Sequence, residues 1–385
     1  MKKLAIITTH PIQYNAPWFA LLASRREIDL KVFYTWSQSR EKVKDKTFGR
    51  EIQWDIPLLE GYSFEFVENV SKKPGSHNFF GIDNPSLIWR INAFNPDAIL
   101  VFGWNFKSHL KVLRYFKGKV PVWFRGDSTL LDENPGVKTW LRRQILRWVY
   151  QHVEKAFYVG LANKSYFLKH GLLESQLVNA PHAIDIDRFS DNIEKKYEEK
   201  AKTWRQELGF SSEDLVILFA GKMETKKQPD FLMEAVIKVN EKQLNPIKLI
   251  LVGNGPLEAG LKERAKSYNF ITFIPFQNQT MMPVVYRLGD VFCLPSKGPG
   301  ETWGLAVNEA MASGRAVIVS DRVGCAEDLV SKSVGWILPT GELIIWLNLL
   351  LKLESKQLRE MGNSAMEQIQ AWSFERMVKA IESEI

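Results

Sequence analysis

Two carboxylates, Glu301 and Glu309, stand with seven residues between them in the stretch Pro295-Ser-Lys-Gly-Pro-Gly-Glu-Thr-Trp-Gly-Leu-Ala-Val-Asn-Glu309. An apolar run, Val291-Phe-Cys-Leu, stops at Pro295. A Gly/Pro/Ser loop follows, and a helical pattern resumes near Leu305 and ends at Gly314. Strand, loop and helix in that order put the loop at the carboxyl end of a strand, where open α/β sheets bind their ligands. Acids so placed can accept hydrogen bonds from ligand hydroxyls. Taken alone, the pair is equally well an exposed loop acid followed by a helix-surface acid.

Two further strand ends carry different chemistry. After the apolar run Leu215–Ala220 comes Gly221-Lys222-Met-Glu-Thr-Lys226-Lys227, a short loop with several ammonium groups before a helix. The glycine lets backbone approach a ligand, and a diphosphate takes point charges from lysine and amide donors from a helix N-terminus. After Ile247–Val252 comes Gly253-Asn254-Gly255-Pro256, a tight turn opening a helix, which is usually no more than a turn. Three such ends on one edge would give a site with cationic and anionic halves. A sugar nucleotide needs both, positive charge for its phosphates and carboxylates for its hydroxyls.

The elements that must position these residues alternate strand and helix. In the second half they run through a helix over Gln228–Lys242, a helix over Leu257–Tyr268, a strand over Ile271–Pro275 and a helix near Met281–Leu288. The strand at Val291, the helix Leu305–Ser313, the strand Ala316–Ser320 and closing helices from Gly341 onward complete it, with the last ones over Lys356–Ala371 and Phe374–Glu384. The first half opens β-α-β, with a strand Leu4–Thr9, a helix Pro17–Arg25 and a strand Leu30–Tyr34, so His10, Gln13 and Asn15 would line a ligand edge. His10 by itself is more simply explained by a hydrogen bond to backbone. After a helix Pro85–Phe94, two more strands end in Gly103-Trp104-Asn105 and Arg125-Gly126-Asp127-Ser128 and should share that edge. Asp127 is as well explained as a helix N-cap as by a catalytic role. Residues 36–82, with Lys42, Lys44, Lys46, Lys72 and Lys73, read as substrate-side loops with a strand pair.

From Val137 to Phe157 the pattern is amphipathic: Trp140, Leu141, Ile145, Trp148, Val149 and Val153 recur at helical spacing, with Lys138, Arg142, Arg143 and Arg147 between them. Part of that apolar face must be core. The tryptophans and cations also suit an anionic membrane surface, against the plainer reading of a solvated basic face. The spacing then predicts a strand over Ala156–Leu161 and a helix over Lys164–His170 closed by Gly171. A crossover near residue 182 divides residues 1–181 from residues 182–371. The expected architecture is two doubly wound, Rossmann-like α/β domains facing across a cleft.

Composition narrows the classes further. The chain has 385 residues, 45% of them hydrophobic, enough to bury large cores, and a formal charge of +7. A basic balance favours polyanions, anionic headgroups or phosphorylated small molecules, but no nucleic-acid-binding motif is present. The two cysteines, Cys293 and Cys325, have neither metal-ligand spacing nor a disulfide framework, so a cytoplasmic setting is expected. The opening apolar run is too short for a secretory signal, and no segment is apolar enough to span a bilayer.

Glu301-Thr-Trp-Gly-Leu-Ala-Val-Asn-Glu309-Ala-Met-Ala-Ser-Gly-Arg-Ala-Val resembles the E-x7-E motif, and the strand after it, of retaining glycosyltransferases of family four, which have the GT-B fold. Gly221-Lys222 with Lys227, Gly253-Asn-Gly-Pro, Val291–Ser296 and Val323-Gly324 with Glu327 follow in the family's order, over most of residues 180–340. Thr9-His-Pro-Ile-Gln-Tyr-Asn-Ala-Pro resembles a branch tied to cell-surface polysaccharide assembly. The resemblance implies that Glu301 contacts the donor sugar, Glu309 the ribose, and Lys222 and Lys227 the diphosphate as it leaves, with no metal and no cofactor besides the nucleotide-sugar donor. It places Gly221, Gly253 and Asn254 in the donor site, Phe276 and Gln277 against the base, and amides around Gly304 and Leu305 on phosphate oxygens. It also implies that the C-terminal helix, about 372–385, packs back on the first domain.

The chain departs from the family at Lys222, where an arginine is usual. It departs again at Arg125-Gly126-Asp127, where many members carry a histidine, and at His10-Pro11, which replaces a glycine-rich loop. Arg125, Asp127 and His10 remain alternatives for the acceptor side. The implied activity is retaining transfer of a hexosyl or N-acetylhexosaminyl group, expected from a UDP-linked donor, to a glycan or lipid-linked acceptor. Peripheral placement on the inner face of the cytoplasmic membrane is a candidate setting. A sugar-nucleotide epimerase on the same scaffold and a non-catalytic sugar-nucleotide-binding subunit are the rival readings.

Overall fold

The structure, a computed structural model, describes residues 1–40, 44–45, 50–51 and 54–385. The chain forms two compact units, one of residues 1–44, 51–183 and 374–385 and the other of residues 45–50 and 184–373. Of the lysines expected in substrate-side loops, Lys42 and Lys46 lie outside the described residues.

The first unit contains β1 (Lys2–Thr8), α1 (Ala16–Ser24), β2 (Ile28–Tyr34) and β5 (Ser63–Phe66), while the paired two-residue strands β3 (Lys44–Asp45) and β4 (Arg50–Glu51) each have one residue in either unit. It continues with α2 (Leu87–Phe94), β6 (Ala98–Phe102), α3 (Lys107–Phe116), β7 (Val122–Arg125), α4 (Val137–Tyr150), β8 (Lys155–Tyr158), α5 (Leu161–Lys169) and β9 (Leu177–Asn179). Its seven-stranded sheet has the order β5-β2-β1-β6-β7-β8-β9, with parallel pairing throughout. Strand alternation splits the core: Ala5 and Ile7 of β1 face one side, Leu4 and Ile6 the other. Helices α2 to α5 pack on the first side and α1 on the second.

The second unit contains α6 (Ile186–Phe189), α7 (Tyr197–Glu207), β10 (Val216–Ala220), α8 (Pro229–Asn240), β11 (Lys248–Val252), α9 (Glu258–Ala265) and β12 (Ile271–Ile274). It goes on through α10 (Met282–Tyr286), β13 (Val291–Leu294), α11 (Leu305–Ala312), β14 (Ala316–Ser320), α12 (Ala326–Leu329), β15 (Gly335–Leu338), α13 (Leu343–Leu350) and α14 (Ser355–Ile369). The strands form a parallel sheet of order β12-β11-β10-β13-β14-β15. Its central strands are buried on both faces and therefore read as unbroken apolar runs such as Val-Ile-Leu-Phe-Ala. The last helix, α15 (Phe374–Glu382), belongs to the first unit, where Phe374, Met377, Val378 and Ile381 join the α1 side of the core.

Several elements differ from the sequence expectation, the four-residue helices α6 and α12 among them. β5, inside residues 36–82, is a full edge strand of the first sheet, pairing Phe64 with Val32 and Phe66 with Tyr34. β15 extends the second sheet beside β14. α3 and α7 occupy stretches to which no helix was assigned. α3 puts Ser108 and His109 among its buried positions, which breaks its apolar period. α7 buries only Ala201 and is started by Asp191, whose carboxylate accepts the Tyr197 and Glu198 amides at 2.7 and 2.9 Å. Among the described residues, no helix is long and apolar enough to cross a membrane.

Candidate functional site

In the second unit the chain winds outward from β10 through β11 to β12, then returns to place β13 on the other side of β10. The strand order therefore reverses between β10 and β13, the position in an open α/β sheet at which ligands bind. Lys227 lies in the loop after β10 and Glu301 in the loop after β13. Their side chains meet, with Lys227 Nζ 2.5 Å from Glu301 Oε2. Both are largely buried, and Ser296 Oγ donates to the same carboxylate oxygen at 2.9 Å. Ser296 is held in turn from β14, because Ser320 Oγ donates to its carbonyl. The Lys297 amide, donating to Lys226 O at 2.8 Å, ties the two loops together a second time.

The Glu301 loop is seated on the turn that follows β14. The Gly324 amide donates to Glu301 O at 3.0 Å and the Cys325 amide to Trp303 O at 2.9 Å. A Cβ on Gly324 would fall 1.8 Å from Thr302 O, so only glycine permits that approach. Trp303 is buried and its indole donates to Asn308 Oδ1 at 2.8 Å, fastening the loop to α11. Gly304, at φ +95°, opens α11, and the amides from Leu305 onward begin the helix. One turn further on, Glu309 is buried and accepts from Tyr286 Oη of α10 at 2.6 Å.

The glycine-bearing loops after β10 and β11 lie against each other. A Cβ on Gly253 would come 2.2 Å from Gly221 O, and the Met223 amide donates to Asn254 O at 3.0 Å. Asn254 is buried; its side chain accepts from the Phe276 amide at 3.0 Å and donates to Glu258 at 2.8 Å. Phe276 and Gln277 follow β12, with Gln277 Nε2 donating to Pro275 O at 3.1 Å. Lys222 follows Gly221 in the β10 loop and is partly buried. The second unit thus brings Gly221, Lys222, Lys227, Gly253, Asn254, Phe276, Gln277, Glu301, Gly304, Leu305 and Glu309 to the carboxyl edge of one sheet. The sequence reading missed Ser296, Tyr286 and the Trp303–Asn308 clasp. Ser296 directly follows a strand end and was within reach; Tyr286 gave no local signal.

In the first unit the order reverses between β1 and β6, and His10 follows β1. Its Nδ1 is 2.9 Å from Thr9 Oγ1, its ring meets Trp36 edge-on, and burial lowers its pKa. Asp127 follows β7, near His182, whose pKa burial and the Arg125 charge push down to about 4 against an opposing pull from Asp127. Arg125 is not available to a ligand. It is buried, and its guanidinium donates to Ala180 O at 2.7 Å and Pro181 O at 3.3 Å.

The glycosyl transferases group 1 family matches residues 200–368. This stretch is a group 1 glycosyltransferase domain. It spans the second unit's sheet and contains every residue that the second unit brings to the sheet's carboxyl edge. Over the whole chain the fold is GT-B. Sucrose-phosphate synthase from Thermosynechococcus elongatus aligns over 100% of this chain and 98% of its own, with a TM-score of 0.73 and 14% identity. HepE of Anabaena, in a complex with UDP and glucose, aligns over 100% and 99%, with a TM-score of 0.69 and 17% identity. Among curated relatives, the D-inositol 3-phosphate glycosyltransferase of Gordonia bronchialis is 27% identical over 191 residues, 46% of this chain and 41% of that protein. The phosphatidyl-myo-inositol mannosyltransferase of Mycobacterium tuberculosis is 27% identical over 168 residues, 43% and 41%. These matches therefore span less than half the length of either relative.

Proposed function

We propose that this protein is a retaining glycosyltransferase. It takes a hexosyl or N-acetylhexosaminyl group from a UDP-linked donor to a glycan or lipid-linked acceptor in cell-surface polysaccharide or glycolipid synthesis. The observation that carries this reading is the Lys227–Glu301 pair at the reversal of the strand order, beside two glycine loops and the start of α11. HepE's complex with UDP and glucose, on the same fold, supports the donor class.

In this reading the diphosphate lies against the loops after β10 and β13. An ammonium has three donors, and Glu301 occupies one of those on Lys227, so the others remain for phosphate oxygens. Lys222 and the first amides of α11 add positive potential where the leaving diphosphate gains charge. Two lysines then do the electrostatic work that a divalent ion does elsewhere, and no metal is required. Glu301, oriented by Ser296 and Lys227, accepts from donor-sugar hydroxyls and stabilises the positive charge that develops at the transferring carbon. Glu309, oriented by Tyr286, accepts from the ribose. Retention follows from attack on the face the diphosphate leaves, with His10 and Asp127 assigned to the acceptor side.

The test is a donor screen with purified protein, followed by product analysis. UDP should accumulate only when acceptor is added, the product should keep the donor's anomeric configuration by NMR, and chelator should leave the rate unchanged. An altered sugar nucleotide formed without acceptor would instead establish an epimerase. Donor binding with no turnover on any acceptor would leave a binding subunit.

A further inference from the structure

We infer that the outer surface of α4 docks on an anionic lipid bilayer. Amphipathic helices ordinarily turn their apolar stripe to the core, and α4 does not. Its core contacts come from Leu146, Val149 and Tyr150, whereas Val137, Trp140, Leu141, Ile145 and Trp148 are 75%, 59%, 50%, 51% and 40% exposed. At 100° per residue these five fall within one arc on the side opposite Leu146. The stripe runs the length of the helix, with Lys138 on one flank and Arg147 on the other, both exposed. Arg114 of the neighbouring α3 lies over the Trp148 ring at 5.5 Å and extends the basic border.

Charge complementarity selects the occupant. The four helices layered on this side of the sheet, α2 to α5, contain ten lysines and arginines and not one aspartate or glutamate. Acids from loops and from β5 neutralise Arg90, Lys107, Arg143 and Lys164. The cations bordering the stripe, Arg114, Lys138 and Arg147, have no such partner among the ion pairs of the described residues. A flat apolar stripe with tryptophans and a basic rim matches the interfacial region of a bilayer rich in anionic headgroups. Tryptophan settles there, and each nearby cation adds attraction. A protein partner would instead have to offer an apolar groove ringed with acid.

Flotation of the full chain with phosphatidylcholine vesicles, with and without roughly 30% phosphatidylglycerol, tests this without any assay of transfer. Binding is expected only to the anionic vesicles and should fall at least about tenfold at about 0.5 M salt. A Trp140→Ser/Leu141→Ser variant should lose at least about tenfold in affinity, and so should Arg114→Gln/Lys138→Gln/Arg147→Gln. These residues are exposed, so circular dichroism and melting should match the parent. Flotation with neutral vesicles alone, no flotation with either, or variants that float like the parent would overturn the inference. A parent dimer in solution that Trp140→Ser/Leu141→Ser converts to monomer would also overturn it, by making the stripe a self-association surface.

Discussion

Lys227 Nζ and Glu301 Oε2 are 2.5 Å apart across the point where the second sheet reverses its strand order. Neither residue is near the other in sequence, and each ends a loop whose backbone is tied to its neighbours, so the pair measures how well the two loops are registered. Removing one partner leaves a buried charge unmatched. Lys227→Met is therefore expected to destabilise the second unit by about 3 kcal/mol, and Lys227→Met/Glu301→Gln by less than the two single changes added together. Urea unfolding of the four proteins gives the coupling energy directly. Glu301→Gln should slow transfer about a hundredfold or more while UDP affinity changes little. Equal losses in both would mean that Glu301 does not serve the sugar.

Tyr286 and Glu309 form a second fixed pair, 2.6 Å between Oη and Oε2, and it is buried. In the proposed reading Glu309 must present its carboxylate to a ribose at a set angle, and Tyr286 on α10 sets it. Tyr286→Phe removes one hydrogen bond to a charged group, an effect of about 1.5 kcal/mol or more. UDP affinity by calorimetry should fall about tenfold in this variant and further in Glu309→Gln. Unchanged affinity in both would separate Glu309 from the nucleotide.

Gly253 has φ +127° and would bring a Cβ within 2.2 Å of Gly221 O. No rotamer relieves a clash with backbone, so Gly253→Ala should cost about 3 kcal/mol or more and loosen the diphosphate loop. Gly260 supplies the control. It lies inside α9 with open space around its Cβ position, and Gly260→Ala is expected to stabilise by about 0.5–1 kcal/mol. Melting curves of the two variants should move in opposite directions.

What could be read from the chain follows how local the physics is. The inner strands of both sheets announce themselves because they are apolar on both faces, whereas the half-exposed edge strands β5 and β15 do not, and the loop chemistry after β10, β11 and β13 lies within a few residues of each strand. The Glu301 and Glu309 contacts were not legible in the same way. Ser296 and Tyr286 reach those carboxylates from elements set beside them only by the fold. α4 defeated the periodicity argument differently. Its apolar residues recur at helical spacing, but spacing states that a stripe exists and not which way it faces, and here Leu146 and Val149 take the core while Trp140 and Leu141 do not. α3 was hidden for the opposite reason, since its core face includes a histidine.

That histidine, His109, is fully buried, with Nδ1 2.9 Å from Phe102 O and 3.1 Å from Gly103 O, and Nε2 2.8 Å from Thr35 Oγ1. Carbonyls only accept, so Nδ1 carries the proton, and the single Thr35 hydroxyl proton lies between two acceptors, Nε2 of the neutral ring and Thr8 O at 3.1 Å. The ring thereby fastens the end of β6 to the end of β2. Burial lowers its pKa from 6.5 to about 4, outweighing the two carbonyl contacts that raise it. The unfolded chain takes up this proton near pH 6.5 and the native chain withholds it until about pH 4. In that window the unfolded state binds more protons, so stability is full above pH 6.5 and falls as the pH drops toward 4. At about 1.4 kcal/mol per pH unit, His109 alone accounts for about 3 kcal/mol. His182, lowered to about 4, and His10 and His170, lowered by burial, act with the same sign. His109→Gln should lower stability at pH 7 by about 2 kcal/mol, through the lost contacts, and make the decline between pH 6.5 and 4 shallower than in the parent. Urea midpoints at pH 7 and pH 5 measure both effects, and a parent-like slope in the variant would mean that His109 takes its proton as readily folded as unfolded.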